Sequence, residues 1–218
     1  MKTILDYAEV WALIFPILFS WKAFQATWPF KIVAIYVWGA FFINVMIVCG
    51  HLYSDGFGGI FFPNLYLYNI HSIFRLICFS LFFIALMQPL LEAVKKLLPI
   101  LCLILITINF FNYEDFFNPS TFSSRLFSLE MALLLFYCLQ FYLFILKEDT
   151  PASPSPTKWI VMGLFIYVII NFPYFLLFRT LIETDNLNFV KTMWYIHNVT
   201  YIVLCLYITK AFHAITNK

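Results

Sequence analysis

Residues 64–87 read NLYLYNIHSIFRLICFSLFFIALM. A hydrocarbon core about 30 Å thick is crossed by about 20 mainly apolar residues in a helix. This run is long enough, and Arg75 is the only charged residue in it. Asn64, Tyr68, His71 and Arg75 follow i, i+4, i+7, i+11 spacing, which puts them on one helical face. An apolar helix with a single polar stripe turns that stripe towards other helices or a cavity, because polar groups facing lipid are costly. The run therefore predicts one membrane helix within a bundle.

The rest of the 218 residues agrees. Hydrophobic residues make up 63%, aromatic residues 22% and charged residues only 11%. Soluble domains carry about 25% charged residues, so too few remain here to coat a water-facing surface. A soluble enzyme, a disordered chain and a fibrous chain are all excluded. A net charge of +2 gives no basic patch for nucleic acid. Cys49, Cys78, Cys102, Cys138 and Cys205 form no CxxC pair, so neither a disulfide framework nor a zinc site is expected.

Windows of membrane-spanning length predict seven helices, at about 6–26, 31–51, 64–87, 97–113, 122–146, 158–180 and 190–213. The fourth is the shortest, with Pro99 in its first turn, where proline is tolerated. Asp6, Glu9 and Pro16 interrupt the first run and no small-x-small site follows, so it reads as a retained helix rather than a signal peptide. The connections are short: Asp55-Gly56-Phe57-Gly58-Gly59, Asn118-Pro119-Ser120 and the Pro151–Pro156 stretch. The expectation is an all-α, polytopic membrane protein, a bundle of seven transmembrane helices forming one domain over 1–218.

Lysine and arginine distribution sets orientation. Lys22, Lys31, Lys95, Lys96, Lys147, Lys158, Lys210 and Lys218 fall on one side. Lys2, Arg125, Arg179 and Lys191 fall on the other. The lysine-rich side reads as cytoplasmic, giving an N-out/C-in protein.

Polar residues inside the spans concentrate towards the other side. Counted at 1.5 Å per residue, Glu130, His197 and Asn44 lie about 10–12 Å below the outer end, Asn171 about 13 Å and Arg75 about 17 Å. His51 adds to the second span, Tyr167, Asn171 and Tyr174 share a face of the sixth, and Trp194, His197, Asn198, Tyr201 and Cys205 form a stripe on the seventh. The inner halves are nearly pure Leu, Ile, Phe and Val, with Gln140 the main exception. A mid-membrane guanidinium needs a carboxylate; Glu130 is the best-placed partner and Glu9 the second. Such a pair either staples two helices or belongs to a ligand or ion site. His71 and His197 either hydrogen-bond neighbouring helices or contact a ligand. The asparagines either bridge helices or reach a ligand. Asn171 could replace a backbone bond that Pro173 removes.

Catalytic and cofactor motifs are missing: no P-loop, GxGxxG, GxSxG or HExxH occurs. No central lysine in the seventh span could hold retinal, and no HxxxH, ExxH or HxxE suggests a metal. No enzyme activity, catalytic residue, cofactor or metal is expected.

Leu65–Phe74 (LYLYNIHSIF), Asn118–Tyr137 (NPSTFSSRLFSLEMALLLFY), Lys158–Phe178 (KWIVMGLFIYVIINFPYFLLF) and Met193–Phe212 (MWYIHNVTYIVLCLYITKAF) resemble a group of small seven-helix membrane proteins of Bacteroidota-type bacteria. These are similar to the N-terminal sensor regions of histidine kinases. The resemblance implies a signal-input module of the bacterial inner membrane. No output domain precedes Lys218, so the signal is expected to leave through a separate membrane or cytoplasmic partner. The ligand-binding residues expected are Arg75, His71, Glu130, Asn171, His197, Asn198, Tyr68 and Trp194, lining an outer-half cavity for a small or amphipathic ligand. Binding is expected to reposition inner ends carrying Lys95, Lys96, Lys147 and Lys210. Two other readings are a small-solute or proton-coupled transporter and an accessory or scaffold subunit.

Overall fold

The computed structural model describes residues 5–56, 65–118, 123–147, 155–183 and 187–215, without the side chains of 51–56 and 182–188. Lys2, Asn64, Lys218, the His51 side chain and segments 57–64, 119–122 and 148–154 therefore lie outside the described residues. Among the described residues seven helices run in order: α1 (Ala8–Gln25), α2 (Trp28–Gly56), α3 (Tyr66–Ala85), α4 (Glu92–Asn112), α5 (Ser124–Lys147), α6 (Pro156–Glu183) and α7 (Leu187–His213). Each covers one of the predicted apolar runs.

Among the described residues five helices are long and apolar enough to cross a membrane: α2 through α6. α1 and α7 fall short of that mark. The physical reason is composition. Glu9, Lys22 and Gln25 sit in the eighteen residues of α1, and α7 holds Lys191, His197, Asn198, Thr200 and Lys210.

Six helices close a ring in the order α1–α2–α3–α5–α6–α7, with α7 returning to α1. α4 is left outside and packs against α3 and α5. Its composition suits that place, since Leu97, Ile100, Leu101, Ile104, Leu105 and Ile108 are all exposed, as lipid-facing residues are. A network at its C-terminal end ties it down. Asn109 donates to Glu114 (2.8 Å) and accepts from Arg125 (3.1 Å), while Asn69 accepts from the Ser123 backbone N–H (2.9 Å).

Helices consecutive in the chain alternate in direction, so in the ring α1 and α7 lie side by side and parallel, as do α3 and α5. The Asn44 amide, late in α2, reaches the Glu9 carbonyl at the start of α1 (3.2 Å). Lys22, late in α1, reaches the His213 carbonyl at the end of α7 (3.2 Å). Lys22, Lys31, Lys95, Lys96, Lys147, Lys158 and Lys210 consequently gather at one end of the bundle, and Arg125, Arg179 and Lys191 at the other.

Two expectations about proline are corrected. α4 begins at Glu92, so Pro99 lies inside the helix rather than in its first turn. Proline at that position frees the carbonyl four residues back, that of Lys95, and the Tyr137 hydroxyl of α5 donates to it at 2.7 Å. In α6, Pro173 frees the carbonyl of residue 169. Asn171 does not replace that bond; its amide donates to the Tyr167 carbonyl at 2.7 Å.

Lys95 departs from its expected place at the inner surface: it is 1% exposed, and its Nζ donates to the Gln88 carbonyl at 2.7 Å. Gln140 joins it, donating to the Leu90 carbonyl at 3.0 Å. Both hold the turn between α3 and α4, where Met87 (φ 52°) and Leu91 (φ 55°) adopt left-handed backbone, unfavourable for side-chain-bearing residues. Lys95→Met removes the donor and leaves a carbonyl without its partner, a loss of about 1–3 kcal/mol. Thermal unfolding in detergent should show the drop, and limited proteolysis should show new cleavage at 87–91. Unchanged values on both counts would mean the lysine does not hold the turn.

Candidate functional site

The face of α3 that carries Tyr68, His71, Ser72 and Arg75 points into the ring, where Arg75 is 2% exposed and Glu130 of α5 is 0% exposed. The two side chains meet as a fork. Arg75 Nε donates to Glu130 Oε1 and Nη2 to Oε2 at 2.9 Å. The third guanidinium nitrogen, Nη1, donates to the Tyr167 hydroxyl of α6 at 2.7 Å, and Ser72 Oγ donates to Glu130 Oε2. Glu130 is thus the partner, and Glu9, the second-placed carboxylate, is engaged elsewhere. Burying each ion costs several kcal/mol; bidentate geometry and the two hydroxyls offset that cost by satisfying the remaining polar atoms.

Glu9 anchors a second network. Its Oε1 lies 3.3 Å from His197 Nε2, while His197 Nδ1 lies 2.9 Å from Asn171 Oδ1. Asn171 Nδ2 donates to Thr200 Oγ1 (2.8 Å) and to the Tyr167 carbonyl, so its oxygen is the end that accepts from Nδ1. That assignment follows from the bonding pattern and makes Nδ1 the donor, leaving Nε2 as the nitrogen that faces Glu9.

Tyr167 and Asn171, one turn apart on α6, join the two networks. The Tyr167 ring sits 5.5 Å from that of His197 and 5.1 Å from the Arg75 guanidinium carbon. Asn44 Nδ2 on α2 completes the set through the Glu9 carbonyl. Contacts therefore run without a break through every helix of the ring, α2–α1–α7–α6–α3–α5.

Below Arg75 the interior turns aromatic and closes. Phe79, Phe82, Phe83 and Tyr137 are each at most 1% exposed, and Phe83 stacks on Tyr137 at 5.0 Å and 13°.

At the other end, a cavity of about 330 Å³ opens among α1, α2, α3 and α7. Exposed Asp6 and Tyr7 border it at the surface, and buried Glu9 and Asn44 line it within. Tyr68 and Trp194 form an edge-to-face pair on its wall (5.8 Å, 83°). Of the eight residues expected to line a cavity, Tyr68 and Trp194 do so. Arg75, His71, Glu130, Asn171, His197 and Asn198 lie in the packed centre instead. There Arg75 bonds Glu130 and His197 meets Asn171, side chain to side chain. His71 stacks on Tyr36 (6.2 Å, 14°) with its Nε2 buried and without a hydrogen-bond partner among the described residues. Asn198 donates to the Leu5 carbonyl at 3.0 Å.

In the sequence Asp6 stands out as an interruption of the first run, Glu9 as the second candidate partner for Arg75, and Asn44 as an amide at depth. Their role as cavity walls depends on how α1 and α2 are placed, which spacing along one helix does not report. Ser72 and Thr200, two partners in the networks, carried no sequence signal of their own, because a hydroxyl residue in an apolar helix commonly bonds its own backbone.

Among the described residues no group of three or more His, Cys, Asp or Glu side chains is arranged to hold a metal ion. Compared with known proteins, the chain matches no family model, no curated protein and no solved structure.

Proposed function

We propose that the chain is a multi-pass, receptor-like module of a bacterial inner membrane, with all seven helices embedded, the cavity end outside and the lysine-rich end in the cytoplasm. Occupancy of the cavity is read at Glu9 and relayed through His197, Asn171 and Tyr167 to the Arg75–Glu130 pair, and helix ends pass it to a separate partner. The observation that carries this reading is the unbroken series of polar contacts from the cavity wall to all six ring helices. Repairing one contact in such a series alters its neighbours, which is how a local event becomes a helix displacement of about 1–2 Å.

The aromatic layer at Phe79, Phe82, Phe83 and Tyr137 favours a receptor over a transporter, since a transported solute needs access from both ends. The cavity itself favours a receptor over a purely structural scaffold.

The test is a pair of spin labels at positions 22 and 147, at the far end of α1 and α5, in nanodiscs and in a background lacking Cys49, an exposed cysteine. Glu9→Gln removes charge at the cavity and should shift the inter-label distance by about 1–2 Å while unfolding temperature stays close to wild type. An unmoved distance in the folded variant refutes the relay.

A further inference from the structure

The chemistry of the cavity wall points to one class of occupant, and this deepens the receptor reading by giving its site a ligand. Two acidic side chains, Asp6 and Glu9, line the cavity, and among the described residues no lysine or arginine does. Asn44 supplies an independent observation. It is 1% exposed, its Nδ2 is committed to the Glu9 carbonyl at 3.2 Å, and its Oδ1 is a buried acceptor with no partner among the described residues. An orphaned buried acceptor calls for a donor. Two carboxylates call for positive charge, and the Tyr68 and Trp194 rings supply faces that attract a cation.

A metal ion would need a tighter set of ligating groups than the described residues offer. An anion would meet carboxylates, and a neutral apolar molecule would leave Asn44 Oδ1 unsatisfied. The volume, about 330 Å³, falls at the lower limit of small-molecule sites, roughly 300–1,000 Å³.

We propose that this cavity binds a small organic ammonium ion. Its N–H groups donate to Glu9, Asn44 Oδ1 and Asp6, and its hydrocarbon part lies against Tyr68, Trp194, Val10, Ile47 and Val48. The charged groups facing it are Asp6, just before α1, and Glu9 on α1, with His197 of α7 behind Glu9. An arriving ammonium competes with His197 for the Glu9 carboxylate and thereby disturbs the first contact of the relay.

The test is titration calorimetry on the full chain in nanodiscs with n-butylammonium, with 1-butanol as neutral analogue and butyrate as anionic analogue. Saturable binding of n-butylammonium at least about tenfold tighter than either analogue is expected, the order of one charge-assisted hydrogen bond. Glu9→Gln should weaken it about tenfold or more, and Trp194→Leu by about threefold to tenfold. Asp6→Asn, at an exposed position that leaves packing intact, should also weaken it and serves as the check should Glu9→Gln unfold. Equal binding of 1-butanol, no saturable binding of n-butylammonium, or affinity indifferent to Asp6→Asn and Glu9→Gln overturns the assignment. The two readings fail separately. Ammonium binding with an unmoved distance between labels 22 and 147 keeps this site and removes the relay. A distance that responds to Glu9→Gln without ammonium binding does the opposite.

Discussion

Glu130→Ala is expected to cost about 3–5 kcal/mol, the loss found when one partner of a buried ion pair is removed. The cost comes less from the attraction lost than from the charge left behind. Arg75 is 2% exposed and would keep the Tyr167 hydroxyl as a hydrogen-bond partner, which cannot neutralise a guanidinium. Folded domains are stable by only about 5–15 kcal/mol, so unfolding in mixed micelles should move to a much lower denaturant fraction, with reduced yield. The double variant Arg75→Met/Glu130→Leu supplies the diagnostic comparison. Replacing both ions by apolar groups of similar size is often neutral or stabilising. Recovery should therefore be substantial, short by about 1 kcal/mol each for Tyr167 and Ser72, which lose a partner. In the double variant the distance response to Glu9→Gln between labels 22 and 147 should vanish although the protein folds. A double variant as unstable as Glu130→Ala would mean the pair is not the source of the loss. A folded double variant that still responds would place the relay elsewhere.

Much of this arrangement is legible in residues alone. The helices follow from apolar runs, because the length of a hydrophobic stretch and the thickness of a bilayer are the same kind of quantity. Arg75 and Glu130 could be paired without coordinates, since a cation in an apolar run has few carboxylates to choose from at its depth. What spacing does not carry is the neighbour order. A helical stripe says which way a helix faces, not which helix it faces. That α4 stands outside the ring, and that α1 brings Glu9 to His197, therefore appear only in three dimensions. Lys95 misleads for a related reason. A lysine at the head of an apolar run is most simply placed at the surface, and only the unusual turn at Met87–Leu91, with its exposed carbonyls to satisfy, draws it inside. The polar centre also collapses further than a sum of polar residues implies. Side chains that could have lined a large pocket bond one another, and a cavity opens instead beside Asp6, Glu9 and Asn44.

Gly163→Ala should destabilise the protein by about 1–3 kcal/mol through overpacking, and Gly163→Leu by more, because of what a side chain there would meet. A Cβ on Gly163 would fall 2.5 Å from Tyr207 Cβ, 3.1 Å from Tyr207 Cγ and 3.5 Å from the Leu204 Cα. Atoms so near the α7 backbone cannot rotate aside, so the helices themselves must separate. Close approach through a small residue is a common way for membrane helices to associate, and here it sets the spacing for the site. Asn171 lies eight residues further along α6, about 12 Å, and meets His197 at 2.9 Å and Thr200 at 2.8 Å across the same interface. Those hydrogen bonds tolerate only a few tenths of an ångström before weakening. Gly39 provides the control. A Cβ there would strike only the tip of the Phe74 ring, a side chain that can turn, so Gly39→Ala should cost less than Gly163→Ala in the same unfolding assay. Gly163→Ala should also weaken n-butylammonium binding although Gly163 is far from the cavity, because opening the α6–α7 interface frees His197 to hold Glu9 more closely. Equal stability of the two alanine variants would show that the α6–α7 contact is not the constraint that positions His197.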